Sequence, residues 1–320
     1  MRPNWRTLSC ALGAGGLLLG VLAAGQGVAG ATPVQRSGTS TCTGTLSNPG
    51  ELKGLYENLD INGVCAVQNG PVQVLGNVTV EPNASLNAVF GLKNSNLTVW
   101  GNMTVDRNAA VMLGCDTVFV TLWGTTGTFN GPEFPCIDDP NGLTAPTLSS
   151  HDTIRGNLTA IDSLGVVLHN TQVLGNVYEN GGGGGNNCVN QGIFNLDIGF
   201  PQYSGFFDGT INGNLTIENV TTCWYGSFRM IIDGSYVHEN VINNDPDGNE
   251  VSANTIAGDM ICKGNSPAIQ FGDSDGSPSK VAGLATGECG FNVTALNPAP
   301  EAGVIGVTPV PVHISVPWRL

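Results

Sequence analysis

The stretch Ile211-Asn212-Gly213-Asn214-Leu215-Thr216-Ile217 contains one copy of a short motif that recurs along the chain and decides its fold. The motif reads aliphatic residue, any residue, Gly or Glu, Asn or Asp, and a second aliphatic residue. Seven copies occur, and they are Val74–Val78, Val99–Met103, Ile154–Leu158, Val173–Val177, Ile211–Leu215, Val237–Val241 and Ile256–Met260. The third positions of consecutive copies lie 25, 55, 19, 38, 26 and 19 residues apart, and 38 is twice 19. Periods near 20 residues are typical of solenoids.

Turn-forming residues precede several of these copies. An Asn or Asp lies beside a Ser or Thr at Asp152-Thr153, Asn170-Thr171, Asp208-Gly209-Thr210, Asp233-Gly234-Ser235 and Asn254-Thr255. Asn and Asp bond their own backbone and tolerate left-handed conformations, so they favour corners. The unit therefore reads as corner, short strand, Gly-Asn turn and short strand. Within it, period-two alternation places Leu215 and Ile217 on one face and Thr216 on the other.

The repeat favours an all-β, single-domain parallel β-solenoid. One unit cannot bury its aliphatic face, whereas coils stacked about 4.8 Å apart bury a continuous column of Val, Leu and Ile. A β-sandwich is the alternative, because it also has short alternating strands separated by turns. It gives no reason, however, for the same corner to recur in the same phase.

The N-terminal sequence is typical of a secretory signal peptide. Arg2 and Arg6 precede an apolar run from Ala11 to Ala24, and the small residues Ala29-Gly30-Ala31 follow. The run is shorter than the roughly 20 residues of a spanning helix, so we expect cleavage after Ala31 and no membrane anchor after it. The predicted organisation is a signal peptide at 1–31, a linker at 32–41, a repeat-built β domain at 42–296 and an extended Pro-rich tail at 297–320. We expect the protein to be secreted, and extracellular or associated with the cell wall.

The charge of the chain argues against nucleic acid as a partner. The formal net charge is −14. The only charged residues in the signal peptide are arginines, so its cleavage would leave the remaining chain more acidic still. Only 11% of the residues are charged, so the surface is mainly polar and neutral. The acidity keeps such a protein soluble.

Nine cysteines are present, of which Cys10 belongs to the signal peptide. The other eight are Cys42, Cys65, Cys115, Cys136, Cys188, Cys223, Cys262 and Cys289. An even number in an exported chain indicates disulfides, and neither a CxxC pair nor a Cys/His cluster in the sequence suggests zinc. Because a solenoid contacts only its neighbouring coils, we expect pairing in chain order. The expected bridges are Cys42–Cys65, Cys115–Cys136, Cys188–Cys223 and Cys262–Cys289.

Two insertions interrupt the period and are predicted to form disulfide-bearing surface loops. The 55-residue interval holds Cys115, Cys136 and the Pro/Gly-rich stretch 130–135. The 38-residue interval holds Gly181 to Gly185, Cys188 and the aromatic stretch 200–203. Insertions on a solenoid are often binding surfaces. The run of five glycines is interpreted as a flexible loop.

Three further stretches accompany the repeat, and they are Asp138-Asp139-Pro140-Asn141, Pro146-Thr147-Leu148-Ser149-Ser150-His151-Asp152 and Gln270-Phe271-Gly272-Asp273. With the Gly-Asn-Leu-Thr-Val-type repeats, they resemble a group of secreted actinobacterial proteins of unassigned function. The resemblance covers most of the chain beyond the signal peptide and implies a bacterial secreted repeat protein without implying an activity. The turn pattern is similar, more weakly, to the polymer-forming bactofilin β-helices and to right-handed β-helix carbohydrate enzymes. Neither family brings a catalytic motif that can be placed on this chain.

Candidate catalytic groups are few. His151-Asp152 beside Ser149 and Ser150 could supply a hydrolytic triad, but the repeat already explains Asp152 as a corner residue. Three Asp pairs could supply the acid and base of a glycosidase, and they are Asp138/Asp139, Asp245/Asp247 and Asp273/Asp275. Each pair lies beside Pro or Gly, so turn formation is the favoured interpretation. Asp138 and Asp139 are the best candidates, because a bridge at Cys136 would fix them.

One segment partly matches a calcium loop. Asn243, Asp245, Asp247 and Gly248 match positions one, three, five and six, but Asn254 replaces the bidentate Glu at position twelve. We therefore expect no bound metal, and no cofactor.

The function favoured by the sequence is a non-enzymatic extracellular or cell-surface scaffold. Its polar Asn/Thr face and its two insertions are expected to contact wall or extracellular polysaccharide, or another surface protein. A β-helix polysaccharide lyase or glycoside hydrolase is the first alternative, on analogy of fold alone. Ice or surface binding is the second, through Thr79, Thr98, Thr104, Thr159 and Thr216, in a row that Tyr178, Ile242 and Ile261 interrupt.

Overall fold

The computed structural model describes residues 38–89, 95–114, 119–122, 125–128, 150–188, 201–244, 249–271, 277–290 and 293–295. These residues belong to the compact unit Ser37–Leu320. They form 31 strands, numbered here in chain order, and no helix occurs among them. Nothing in this part of the chain is therefore a helix long and apolar enough to cross a membrane.

Three parallel sheets contain 29 of the strands. Sheet 1 consists of β1 (Thr39–Cys42), β4 (Asn58–Ile61), β7 (Val78–Val80), β10 (Met103–Val105), β15 (Leu158–Ile161), β18 (Val177–Asn180), β21 (Leu215–Glu218), β24 (Tyr236–Glu239), β27 (Met260–Lys263) and β30 (Ala285–Gly287). Sheet 2 consists of β2 (Gly50–Glu51), β5 (Val64–Ala66), β8 (Ser85–Ala88), β11 (Ala110–Leu113), β16 (Gly165–His169), β19 (Tyr203–Phe207), β22 (Trp224–Phe228), β25 (Asn249–Ser252) and β28 (Ile269–Gln270). Sheet 3 consists of β3 (Gly54–Tyr56), β6 (Val72–Val74), β9 (Leu97–Val99), β14 (Asp152–Ile154), β17 (Thr171–Val173), β20 (Thr210–Ile211), β23 (Ile231–Ile232), β26 (Thr255–Ile256), β29 (Ser279–Val281) and β31 (Val293–Ala295).

Each coil passes from sheet 1 to sheet 2 to sheet 3, and every strand pairs with its equivalents in the coils before and after. The described strands complete nine coils, and β30 and β31 belong to a tenth. The remaining strands, β12 (Phe119–Leu122) and β13 (Thr125–Thr128), form an antiparallel hairpin within the first insertion. The predicted parallel β-solenoid is confirmed, and the sandwich alternative is wrong. The first strand begins at Thr39, inside the stretch 32–41 that the sequence predicts to be a linker.

The interior is a set of aliphatic columns produced by alternation. In β7, β10 and β21 the first and third residues are buried and the Thr between them is half-buried at the surface. Leu215 is fully buried and Thr216 lies on the outer face, as the period of two predicts. Parallel pairing in register then places Leu215 directly against Val177 of the preceding coil. The stacked columns bury the apolar area that a single coil would leave in water.

The Gly-Asn turn connects sheet 3 to sheet 1, and its geometry explains both residues. The Oδ1 of Asn157 accepts the backbone N–H of Asn176 at 2.8 Å, and the Oδ1 of Asn102 accepts that of Asn157 at 2.9 Å. A Cβ on Gly175 would lie 2.4 Å from Asn157 Oδ1 and 2.6 Å from the carbonyl oxygen of Gly156. The Asn ladder therefore leaves no room for a side chain at the preceding position.

One copy of the repeat was assigned to the wrong residues. The sequence places a copy at Val237–Val241, but the equivalent turn is Gly234-Ser235, directly before β24. Ser235 donates its backbone N–H to Asn214 Oδ1 at 2.8 Å, as Asn does in other coils. The true intervals from Gly213 to Gly234 and on to Gly258 are therefore 21 and 24 residues. A further turn at Gly283 follows the same pattern.

The unit predicted from the sequence contains two strands, whereas each coil of the structure contains three. The strand that was not predicted is the one in sheet 2. Its strands do not share a motif, and β8, β11, β16, β19 and β25 are buried along their whole length. The aromatic stretch predicted to be a surface insertion leads directly into β19, a strand of this sheet.

The glycine run is built into the coil rather than being a flexible loop. Gly183 donates its N–H to Ser163 O at 2.7 Å, and Gly185 donates to Thr221 O at 2.9 Å. All five glycines have φ between 71° and 87°, a backbone conformation that residues with a side chain rarely adopt.

Three predicted disulfides are confirmed. The Cα atoms are 6.4 Å apart in Cys42–Cys65, 5.0 Å in Cys188–Cys223 and 5.4 Å in Cys262–Cys289. The fourth predicted bridge, Cys115–Cys136, lies outside the described residues.

Candidate functional site

The outer surface of sheet 1, with the adjoining turn, is the most regular surface of the described chain, and we call it the Thr–Asn face. It consists of an Asn row and a Thr row that run along the solenoid axis. The Asn row contains Asn58, Asn77, Asn102, Asn157, Asn176 and Asn214. The Thr row contains Thr79, Thr104, Thr159 and Thr216. Parallel pairing spaces residues of consecutive coils at about 4.8 Å, and Tyr178 occupies the coil between Thr159 and Thr216.

The Asn row is fixed by the ladder of hydrogen bonds described above. Each Oδ1 in it accepts a backbone N–H of the next coil, at 2.8 to 2.9 Å. Five of the six side chains are exposed, and Asn58 is half-buried. The Oδ1 is thus occupied. Asn176 also donates one N–H of its Nδ2 to Asn157 Oδ1 at 3.3 Å, and since an amide has two N–H groups, each exposed Asn keeps at least one for a ligand. The same ladder explains why Asn-x-Thr triplets recur here without any need for glycosylation.

The Thr row is regular over three consecutive coils, at Thr79, Thr104 and Thr159. Tyr178 follows, then Thr216, and then Val237 and Ile261. Thr98 was placed in this row by the sequence, but it pairs with Thr153 in sheet 3. Ile242 was expected to interrupt the row, yet it lies in a bridge with Thr221 after the corner. Val237 takes that position instead.

A polar and aromatic cluster lies in the middle of the Thr–Asn face. Tyr178 Oη donates to Glu218 Oε2 at 3.3 Å and accepts a short hydrogen bond from Asn180 Nδ2. Asn180 and Glu218 are direct partners on neighbouring strands, and Glu239 follows Glu218 in the same row. The half-buried phenol ring is therefore held in place among hydroxyl, amide and carboxylate groups.

A shallow depression of about 370 Å³ lies at the edge of this face. It is lined by Pro82, Asp106, Arg107, Ile161 and Asp162. Arg107 lies 3.4 Å from Asp162, so one of the two carboxylates is ion-paired rather than free to act as an acid or base.

Among the described residues, Ser150, His151 and Asp152 do not form the hydrolytic triad, and Ser149 lies outside the described residues. Ser150 Oγ lies 3.5 Å from Asp152 Oδ1 in the buried interior, and it donates to Ala88 O at 3.0 Å. His151 is exposed on the opposite side of the strand, and its Nε2 lies 3.5 Å from Asn170 Nδ2. The imidazole therefore cannot serve as a base between the other two groups.

Asp152 is a structural acceptor. It accepts the backbone N–H of Leu97 at 2.6 Å and that of Gly114 at 2.7 Å, where the chain leaves for the first insertion. Burial raises its pKa well above the usual range of a carboxyl, despite these hydrogen bonds. Register aligns Asp152 with Thr171 in the next coil and with Asn254 four coils after Asp152. The sequence suggested that Asn170 and Asp208 are equivalent to Asp152, but they lie one residue earlier in the register. Asp233, the other suggested equivalent, lies in a different turn.

The other candidate residues lie mostly outside the described part. Asp138, Asp139, Asp245, Asp247, Asp273 and Asp275 all lie outside the described residues. Asn243 is described; it is buried, and its Nδ2 donates to Asn249 Oδ1 at 3.2 Å. Asn254 is also buried, and its Oδ1 accepts the N–H of Met230 at 2.9 Å. Both amides thus serve the fold.

Sequence reasoning missed a chain of polar groups inside the solenoid. Tyr225 Oη and Tyr236 Oη are 2.8 Å apart, Tyr236 Oη lies 3.1 Å from His238 Nδ1, and His238 Nε2 lies 3.3 Å from Asn249 Oδ1. All four residues are fully buried. Burial lowers the pKa of His238 to about 3, so its imidazole is neutral. Since the Asn oxygen only accepts, Nε2 carries the proton and Tyr236 donates to Nδ1.

Glu179 is a second buried polar group, at an inward position of sheet 1. Its Oε1 accepts from Ser204 Oγ at 2.7 Å and from Ser163 Oγ at 3.4 Å, and its Oε2 has no hydrogen-bond partner. Burial raises the pKa of this carboxyl to about 7. Alternation from Val177 would have placed Glu179 inside, so the sequence contained the signal.

Within the described residues, no group of three or more His, Cys, Asp or Glu side chains is arranged to hold a metal ion.

No family model, curated protein or solved structure matches the chain. The geometry of the site therefore carries the functional argument.

Proposed function

We propose that this protein is a secreted or cell-surface β-solenoid, without catalytic activity, that binds wall or extracellular polysaccharide through the Thr–Asn face. The observation that carries the proposal is the Asn row, which presents an amide on six consecutive coils, beside a Thr row that is continuous over three of them. Sugar hydroxyls both donate and accept hydrogen bonds, and the two rows offer both functions.

The spacing of the face supports a linear polymer as the ligand. The side chains of the Asn row, and those of Thr79, Thr104 and Thr159, are about 4.8 Å apart, so a glycan chain lying along the axis would meet the same groups repeatedly. Tyr178 adds an aromatic ring with a polar end at mid-face, which suits a sugar ring whose faces are apolar and whose edge is polar. Each contact is weak, and many of them add up along a polymer.

The setting of the disulfides agrees with this location. Three bridges in one domain are typical of proteins that fold in an oxidising compartment. The signal peptide expected at 1–31 would deliver the chain to such a compartment.

The described carboxylates do not favour a glycoside hydrolase. That reaction needs an acid and a second carboxylate on either side of the scissile bond. Glu218 and Glu239 are adjacent in register on an open sheet, so their side chains leave the same surface side by side. Ice binding through stacked Thr residues is less favoured, because Tyr178 and then Val237 interrupt the Thr row after three coils.

A single screen separates these functions. The purified chain is incubated with a panel of insoluble cell-wall and extracellular polysaccharides, and both the bound protein and the released reducing ends are measured. We expect retention on at least one polysaccharide without release. Release of reducing ends or of unsaturated products would contradict the proposal and favour the enzyme, and absence of binding to the whole panel would refute the proposed ligand class.

A further inference from the structure

The outer surface of sheet 3 carries an apolar and aromatic patch over four consecutive coils. Its last outward position is occupied in turn by Leu75, Trp100, Arg155 and Leu174. Leu75 is 53% exposed, Trp100 46% and Leu174 40%. The Arg155 guanidinium lies 3.7 Å from the centre of the Trp100 ring. Neighbouring coils therefore hold these side chains in one stack.

A second row runs beside the first, one outward position earlier on the same strands. It contains Gln73, Thr98, Thr153 and Gln172, joined in register by strand pairing. We call the eight residues of the two rows the Trp100 patch. The two glutamines are exposed and the two threonines are half-buried.

The Trp100 patch is close to a palindrome along the solenoid axis. One row reads Gln, Thr, Thr, Gln and the other reads Leu, Trp, Arg, Leu, so reversal about the midpoint exchanges like with like except at the centre. At the centre it exchanges Trp100 with Arg155. Within each copy the Arg155 guanidinium already lies over the Trp100 ring, so each such stack would lie against the reversed stack of the other copy. The surface is therefore complementary to its own reversed copy, which is what an isologous two-fold interface requires.

The charge distribution favours the same face for self-association. If two copies pack in this reversed orientation, six coils of each copy overlap. Over these six coils, the two outward rows of sheet 3 contain only Glu57 and Arg155 as charged residues. Over the same six coils, the two outward rows of sheet 1 contain the acidic residues Asp60, Glu81 and Asp106 and no basic residue. In a chain of net charge −14, two copies repel through most of their surface and approach most easily through a neutral face.

We propose that the Trp100 patch is the interface of a homodimer, in which two copies pack sheet 3 against sheet 3 with their solenoid axes antiparallel. The two-fold axis passes between Trp100 and Arg155, so Trp100 of each copy meets Arg155 of the other. Leu75 meets Leu174, and Gln73 meets Gln172. The dimer leaves both Thr–Asn faces free, and it would bind a repetitive polymer with two faces instead of one.

Cysteine cross-linking tests this register directly. Gln73 and Gln172 are three coils apart, about 14 Å, within one chain. A disulfide needs Cα atoms within about 4.4–6.8 Å, whereas sheets packed face to face lie about 10 Å apart, so a short bis-maleimide is the suitable cross-linker. A reagent that just spans two facing cysteines is too short to join these two positions inside one copy. In the antiparallel dimer, each position lies opposite the other. The variant Gln73→Cys/Gln172→Cys is treated with this bis-maleimide and examined by denaturing electrophoresis, with sedimentation velocity of the unsubstituted chain beside it.

We expect the double variant to form a covalent dimer and the unsubstituted chain to sediment as a dimer. Gln73→Cys alone, Gln172→Cys alone and the control pair Gln73→Cys/Thr255→Cys should stay uncross-linked, because Thr255 lies in the same row beyond the overlap. A covalent dimer from Gln73→Cys alone would show parallel packing and overturn the proposal. A monomer at every concentration, with no cross-linking of the double variant, would also overturn it. Neither result depends on polysaccharide binding.

Discussion

Sheets 1 and 2 belong to the same coils, yet they differ in what covers them. Sheet 1 has one buried face and one open face, and its strands repeat the pattern buried, half-buried, buried. From β5 to β25, sheet 2 is buried on both faces, apart from the half-buried Trp224. Its inward side joins the main core, and its outward side forms a second apolar cluster that includes Met112, Val167, Tyr203, Phe207 and Phe228. A sequence repeat thus survives where every coil meets the same surroundings and is lost where it does not.

The outward side of sheet 2 is also where the aromatic residues collect. Phe207 packs against the ring of His169 at 4.3 Å between centroids, against Phe228 at 5.1 Å and against Trp224 at 5.9 Å. Burial lowers the pKa of His169 to about 3, so it behaves as a neutral ring in this cluster. Such packing depends on shape rather than on a shared motif, because aromatic pairs differ in geometry from coil to coil.

The largest expected effect tests how many buried faces each sheet has. In sheet 1, Leu215→Asp should lower the free energy of unfolding by several kcal/mol, because it buries an unpaired carboxylate, whereas Thr216→Asp should change it by less than about 0.5 kcal/mol. In sheet 2, Val167→Asp and Leu168→Asp point to opposite faces and should both be severe, because both side chains are buried. Chemical denaturation of the four variants measures this. A mild effect of Val167→Asp would remove the difference between the sheets.

The next effect concerns Glu179 and depends on pH. Its pKa of about 7 in the folded chain lies above the ordinary value of 4.5, so the carboxyl stabilises the fold less as pH rises from about 4.5 to about 7. Above pH 7 the loss is constant, at about 3 kcal/mol for this shift. Glu179→Gln should therefore match the unsubstituted chain near pH 4 and be more stable at pH 8.

His169 and His238 give the opposite dependence. Their pKa values are lowered to about 3, so their contribution is present above pH 6.5 and is lost as pH falls. Thermal unfolding of the unsubstituted chain and of Glu179→Gln is measured from pH 4 to 8. Both proteins contain the two histidines, so the difference between their curves isolates Glu179. A difference that does not vary with pH would show that Glu179 is ionised in the fold.

A smaller effect tests why the repeat contains glycine. Gly175→Ala should destabilise the fold by about 1–3 kcal/mol, because its Cβ would overlap Asn157 Oδ1 and the Gly156 carbonyl. Gly38→Ala is the control, since no atom lies within 4 Å of a Cβ there. Equal melting temperatures of the two variants would mean that the Asn ladder is not the reason for the glycine.

The sequence predicted the parts of the fold that repeat. The solenoid, the inward position of Leu215 and the three described disulfides all follow from coils that contact only their neighbours. The turn at Gly234-Ser235 was missed because Ser and Tyr replace the usual Asn and aliphatic residue. Ser235 still accepts the next coil's backbone N–H through its hydroxyl, at 3.0 Å from Asp259 N. The hydrogen bond is therefore kept although the residue type changes.

The features that did not repeat could not be predicted in the same way. The strands of sheet 2 lack a shared pattern, and the glycine run is ordered by neighbours more than 15 residues away, Ser163 and Thr221 among them. The Thr and Asn residues of the candidate site were identified from the sequence, but their division between sheets was not. Thr98 and Thr104 are six residues apart and face outward from different sheets.

The most direct test of the proposed function compares two matched threonines on these different sheets. Thr159 lies in the Thr row of sheet 1, and Thr255 lies in the outward row of sheet 3; both are half-buried. Affinity for the polysaccharide retained in the screen is measured for Thr159→Arg and Thr255→Arg. We predict that Thr159→Arg weakens binding at least tenfold, because a long charged side chain interrupts the flat row, and that Thr255→Arg leaves it unchanged. Equal affinities of the two variants, or a loss confined to Thr255→Arg, would contradict binding through the Thr–Asn face.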